Sequence, residues 1–214
     1  FIAAGLTGVF LGIESFDEET LTRFHKRISY SEIKSSLNIL KSLNLSVEIG
    51  IIMFDPQGTL QQLENNVSRI KMAEVEQYLS YPFNQLRVQA GSPMVKILKG
   101  LKLINDEMNY NWIVYPYSFQ SKEVFSVVRI CKEWEMESYR VADSLKNLYR
   151  YHSFTSDVDS KHAKLVSYYL RRMRRIYIDF LDEVISAVKY NKISEKSPES
   201  SCFVLYIESQ LTSE

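Results

Sequence analysis

A carboxylate and a hydroxyl stand side by side at Glu14-Ser15, where the apolar run of residues 8–13 (GVFLGI) stops. Two later apolar runs also end in polar groups, one at Phe54-Asp55-Pro56-Gln57 and one at Gln89-Ala90-Gly91-Ser92. If these runs are strands of a parallel α/β fold, the polar groups mark the carboxyl ends, where such folds bind ligands. Glu14 can accept, and Ser15 can both accept and donate, so the pair suits ribose hydroxyls or an amino group. The same two residues would equally cap a following helix at its positive end. From residue types alone both readings stand.

Other chemistries find little support. His25, His152 and His162 share no ligand spacing with one another or with a carboxylate. Cys131 and Cys202 are too far apart for a metal-ligand spacing and do not make a disulfide framework. The sequence holds no glycine-rich phosphate loop, no serine nucleophile elbow and no HExxH.

The elements that must position the strand ends follow from periodicity. Residues 8–14, 47–53 and 85–89 read as buried strands, expected adjacent and parallel, with Glu14 and Gln89 at one sheet edge. Asp17 caps a short helix reaching about His25, and Ser29 or Ser31 caps a second carrying Ile33, Leu37, Leu40 and Leu43 on one face. Thr59 opens a third, with Leu60, Leu63, Val67 and Ile70, and Val95 to Ile104 is a fourth. Strand–helix alternation of this kind is the pattern of right-handed parallel crossovers. Three strands are less than half of an eight-stranded barrel.

After Pro116 the character changes. Residues 120–151 and 161–190 lack Gly and Pro and carry helical apolar spacing, so both are expected as long packed helices that bury Trp134 and one side of Tyr168–Phe180. Residues 194–201 read as a polar linker and 202–207 as a closing strand. All seven glycines lie in the first 100 residues, so loops of special geometry are expected there. The organisation expected is an α/β unit over 1–104 and a mainly helical region over 105–214.

In its 214 residues, 26 Lys+Arg cancel 26 Asp+Glu, which gives a global polyanion-binding role no support. An apolar content of 45% with 24% charged residues is globular. No apolar run approaches the ~18 residues of a spanning helix, so the expected location is the cytoplasm with no membrane partner. Locally, residues 161–192 hold eight Lys/Arg against three carboxylates, with Tyr168, Tyr169 and Tyr177 between them. Such a helix could meet nucleic acid or an acidic partner. It also carries an apolar stripe, Leu165, Tyr168 or Tyr169, Met173, Ile176 and Phe180, that would dock it on a neighbour.

Three blocks in order resemble the middle of a radical S-adenosylmethionine enzyme. They are Gly12-Ile13-Glu14-Ser15 with Leu21 and Lys26, then Ile51-Ile-Met-Phe-Asp-Pro56 with Thr59 and Leu63, then Leu86-Arg-Val-Gln-Ala-Gly91-Ser92-Pro93-Met94 with Gly100. The Met-Phe-Asp-Pro form is similar to members carrying a cobalamin-binding domain. The resemblance covers about residues 1–104 and implies the C-terminal part of a partial (β/α) barrel, followed by a mainly helical C-terminal region. It implies S-adenosylmethionine, a 4Fe-4S cluster and cobalamin as cofactors, and a small-molecule or peptide substrate. In the intact protein the cluster would cleave S-adenosylmethionine to a 5′-deoxyadenosyl radical, and with cobalamin the outcome would be methyl transfer or modification of a natural product or peptide.

Carried over by position, Glu14 matches the residue that bonds the ribose or amino group, with Ser15 beside it. Lys26 matches the position that pairs with the methionine carboxylate, and Ile52 an apolar position against the adenine. Gly50 stands where some relatives place an acidic side chain, a contact then lost or moved to Glu48. The family's three-cysteine cluster motif is absent, and thiolates are required to hold such a cluster. With Phe1 at its start, the chain reads as a cut inside a longer protein, the rest of the barrel lying upstream as its partner, and the piece alone is expected to be inactive. The competing reading is a non-catalytic interaction module whose basic helix binds nucleic acid or an acidic partner, the nucleic acid being the less expected.

Overall fold

The computed structural model describes residues 2–43, 45–104, 107–154 and 161–192. Strand β1, Gly8–Glu14, pairs in parallel with β2, Ser46–Ile51. Between them lie α1, Glu18–Arg23, and α2, Tyr30–Ser42. Helix α3, Leu60–Met72, follows β2. Their starts are dictated locally. Asp17 accepts from the Thr20 amide, and Ser29 with Glu32 and Thr59 with Gln62 close reciprocal capping boxes. Val47, Ile49 and Ile51 alternate into the core while Glu48 and Gly50 take the other face.

The third parallel strand is a correction. The segment after α3 touches β2 and the chain just beyond it through two isolated parallel bridges, Ile49 to Leu79 and Phe54 to Gln85. Pro82 lies between them and has no amide to give a ladder. The Asn84 side chain donates to the Ile51 carbonyl at 2.9 Å, taking a place a backbone amide would hold. The chain then turns away, and β3, Val88–Gln89, pairs antiparallel with β4, Val114–Tyr115. Gln89 and Glu14 therefore belong to different sheets, and the described residues form two two-stranded sheets with no closed barrel. Helix α4, Pro93–Gly100, ends earlier than its apolar spacing suggested, because Lys102 adopts a left-handed φ of 57° and the Leu103 amide turns back to the Leu98 carbonyl.

Helices α5, Lys122–Phe154, and α6, Lys161–Lys189, run along each other as expected. Their core is aromatic. Trp134 stacks on Phe180 at 4.4 Å between centroids, and Phe83, from the segment beside β2, lies 4.9 Å from Tyr177. One hydrophobic cluster thus runs from Ile13, Ile49 and Phe83 into Trp134, Tyr177 and Phe180, crossing residue 104. The buried face of α6 is Leu170, Tyr177, Phe180, Leu181 and Val184, whereas Leu165, Tyr168 and Tyr169 stay exposed. The docking stripe is therefore rotated from the one its N-terminal residues suggested. Lys71 on α3 pairs with Asp179 at 2.9 Å and Asp182 at 2.7 Å along the edge of that buried face. The expected linker 194–201 and strand 202–207 lie outside the described residues. Among those described, no helix is long and apolar enough to cross a membrane.

Candidate functional site at the carboxyl end of β1

Glu14 leaves β1 with a positive φ of 72°, beside a register shift between Gly12 and Glu14. A non-glycine residue in this region is strained. Here the strain is offset in part by its carbonyl, which accepts from the Ile52 amide at 2.7 Å. The carboxylate folds back over Gly12, where an added Cβ would stand 2.9 Å from Oε1.

Lys26 reaches the same place from the far side of α1. His25 at φ 55° reverses the chain, and the Lys26 amide returns to the Leu21 carbonyl at 2.9 Å. The ammonium then lies 3.3 Å from Glu14 Oε1 and donates to the Gly12 carbonyl at 3.0 Å. The two side chains are 38% and 27% exposed, so the pair is open to a ligand. Ile52, next to Glu14 through the backbone bond, is half-buried and lines a small cleft with Ser15, Thr20, Met53 and Asp55.

Ser15 is placed differently from its neighbour. It is buried, its hydroxyl accepts from the Asp17 amide at 3.0 Å, and it donates to Asn66 Oδ1 at 3.4 Å. Asn66 also accepts from the Phe16 amide at 2.7 Å. Ser15 and Asn66 together hold the turn that aims Glu14. Asn66 carried no signal in the sequence, since it reads as one more polar residue of α3.

Sequence reasoning also missed what locks α1 down. Arg23 Nε donates to Asp55 Oδ2 at 2.6 Å, and its Nη2 donates to Gln62 Oε1 at 3.0 Å and Thr20 Oγ1 at 3.2 Å. Asp55 is 4% exposed and also accepts from the Gln57 amide. Charge-assisted bonds of this kind are strong and directional. They tie the exit of β2 to the helix that carries Lys26. Glu48, the alternative considered for the acidic contact missing at Gly50, lies on the same face of β2 as Gly50. Its carboxylate meets Arg150 at 3.2 Å and Arg174 at 3.7 Å.

The residues fit a zwitterionic ligand and do not fit an iron–sulfur cluster. A carboxylate and an ammonium 3.3 Å apart can exchange partners with the amine and carboxylate of an amino acid moiety. Among the described residues no three His, Cys, Asp or Glu group around a metal position. Cys131 is buried in α5, and burial pushes its thiol up, away from the thiolate a cluster needs.

In fold, the chain is similar to one portion of a cobalamin-dependent radical S-adenosylmethionine enzyme. The particular structures are those of OxsB. The form with aqua-cobalamin bound matches at a TM-score of 0.74 and 19% identity, covering 98% of this chain and 37% of that one. The form with aqua-cobalamin and S-adenosylmethionine bound matches at 0.71 and 19%, covering 99% and 34%. The likeness is one of fold, and the chain spans about a third of the length of the structures it matches. No family model and no curated protein matches the chain.

Proposed function

We propose that the chain forms one wall of an S-adenosylmethionine site in a radical enzyme, with α5 and α6 bracing it and helping to cover substrate. The single observation that carries this is the Glu14–Lys26 pair, partly exposed at the carboxyl end of β1. Glu14 would accept from the amino group or a ribose hydroxyl, Lys26 would donate to the methionine carboxylate, and Ile52 would lie against the adenine. Ser15 would act at one remove, through the turn it holds. Lys26 supplies a point charge and lacks the bidentate fork of an arginine. Bound S-adenosylmethionine would supply the adenosyl group for radical chemistry. The cluster ligands belong, on this reading, to a part of the protein outside these residues, and so does cobalamin. A small-molecule or peptide substrate, methyl transfer as the outcome and a cytoplasmic location form part of the same proposal.

A second reading rests on Arg171, Arg172 and Arg175, which stay exposed beside Tyr168 and Tyr169 on α6. They would serve an interaction module meeting nucleic acid or an acidic partner. One experiment separates the readings. Equilibrium dialysis of the intact protein against S-adenosylmethionine should give saturable binding that single-stranded RNA does not displace. Tight RNA binding that is lost in Arg171→Ala/Arg172→Ala, with no uptake of S-adenosylmethionine, would favour the module.

A further inference from the structure

A cleft of about 360 Å³ opens beyond the end of the segment that runs beside β2. Asn84, which lines it, sets its place. The Asn84 carbonyl accepts from the Met53 and Phe54 amides at 2.9 and 3.1 Å, and Ile52, just before them, donates to the Glu14 carbonyl. The cleft therefore starts one strand away from Glu14, on the carboxyl-end side where α/β folds bind ligands. It shares no lining residue with the cleft beside Ile52. Tyr117, just after β4, belongs to its wall. Burial first, and then the Asp55 carboxylate, push the Tyr117 phenol up, so this wall too adjoins the exit of β2.

The lining is mixed. Leu86, Val88, Tyr115 and Pro116 give it apolar and aromatic surface. Its charged groups are Arg87 and Lys132, and no carboxylate lines it. Lys132 is neutralised by Glu135. Arg87 is exposed and pairs with none of the described carboxylates. One cation is thus left without a counter-charge in the wall of a concave site. Small-molecule sites run from about 300 to about 1,000 Å³ and combine apolar walls with a few polar groups. A guanidinium presents a planar fork of donors that matches two oxygens at once.

Resting on the reading of β1 as a wall of the S-adenosylmethionine site, we propose that this neighbouring cleft takes the substrate, and that the substrate is a small organic oxyanion whose acid group meets Arg87. A carboxylate and a phosphate both offer two oxygens to the fork. The aromatic and aliphatic lining takes the body of the molecule.

The probes are 4-fluorophenylacetate and 4-fluorobenzylphosphonate, with 4-fluorophenethyl alcohol as the neutral counterpart, each titrated into the intact protein and followed by fluorine NMR. At least one acid should bind saturably, the tighter of the two naming the acid group, and the alcohol about tenfold more weakly or worse. Arg87→Gln should weaken that acid at least about tenfold. Its melting temperature should match the wild type, because Arg87 is exposed and holds no carboxylate. Saturating S-adenosylmethionine should leave the acid bound, and Arg87→Gln should leave S-adenosylmethionine affinity unchanged. No saturable binding of either acid, equal binding of the alcohol, wild-type affinity in Arg87→Gln, or displacement by S-adenosylmethionine would overturn this assignment while leaving the Glu14–Lys26 reading intact. Acid binding through Arg87 in a protein that takes up no S-adenosylmethionine would keep the anion site and overturn its role as a substrate site.

Discussion

The ring of Phe10 lies over Gly50, so that a Cβ on Gly50 would stand 2.6 Å from Phe10 Cζ. Phe10 faces Glu48 in the register of β1 and β2, and Gly12 faces Gly50. The ring therefore crosses diagonally and occupies the space an acidic side chain at position 50 would need. Gly50→Asp should destabilise the fold by about 1 kcal/mol through overpacking, the low end because Phe10 is 63% exposed and free to swing. Urea unfolding of Gly50→Asp with and without Phe10→Ala checks this, and the double variant should recover most of the loss.

Gly12 has a different role. A Cβ there meets only the far end of the Glu14 side chain, 2.9 Å from Oε1. Gly12→Ala should leave stability within about 0.5 kcal/mol while pushing the carboxylate off Lys26. Thermal melting should be unchanged and S-adenosylmethionine binding weakened in the same sample.

Arg23 and Asp55 bind α1 to the exit of β2. Asp55→Ala leaves the Arg23 guanidinium, 21% exposed, without its carboxylate. Removing one partner of such a pair costs about 3 kcal/mol. Chemical unfolding of both single variants and the double should show a coupling energy, because Arg23→Met removes the orphaned charge.

Lys146 gives a pH dependence with a definite sign. Its folded value of about 8 lies below that of an unfolded lysine, so between them the unfolded chain binds more protons. Stability from this group is therefore lowest below pH 8 and rises as pH climbs from about 8 toward about 10.4. Melting temperatures at pH 7 and pH 9.5 should show this rise in the wild type, and Lys146→Met should remove that part of it.

What was legible in the sequence was local. The caps at Asp17, Ser29 and Thr59 and the apolar run of β1 are short-range signals, and each element starts where its own residues direct. Glu14 and Lys26 were legible as a pair only through resemblance, and their meeting depends on two left-handed residues, Glu14 and His25, that no pattern marks. The strand expected at 85–89 keeps one parallel bridge, Gln85 to Phe54, and its last two residues pair instead with β4, because Pro82 and the Asn84 side chain interrupt a continuous ladder beside β2. Arg23 and Asp55 are 32 residues apart, and Glu48 is 102 from Arg150, so both contacts are tertiary facts. Lys146 carried no signal in the sequence, and it is buried by the segment that holds Ser80 and Tyr81.

The central claim is that Glu14 and Lys26 both contact S-adenosylmethionine, Glu14 at the ribose or amino group and Lys26 at the methionine carboxylate. The most direct measurement is calorimetric titration of the intact protein with S-adenosylmethionine, for the wild type, Glu14→Gln and Lys26→Met. Each variant loses a charged hydrogen bond, on the order of 1.5–3 kcal/mol, and should bind roughly 10- to 150-fold more weakly. Wild-type affinity in both variants would contradict the account.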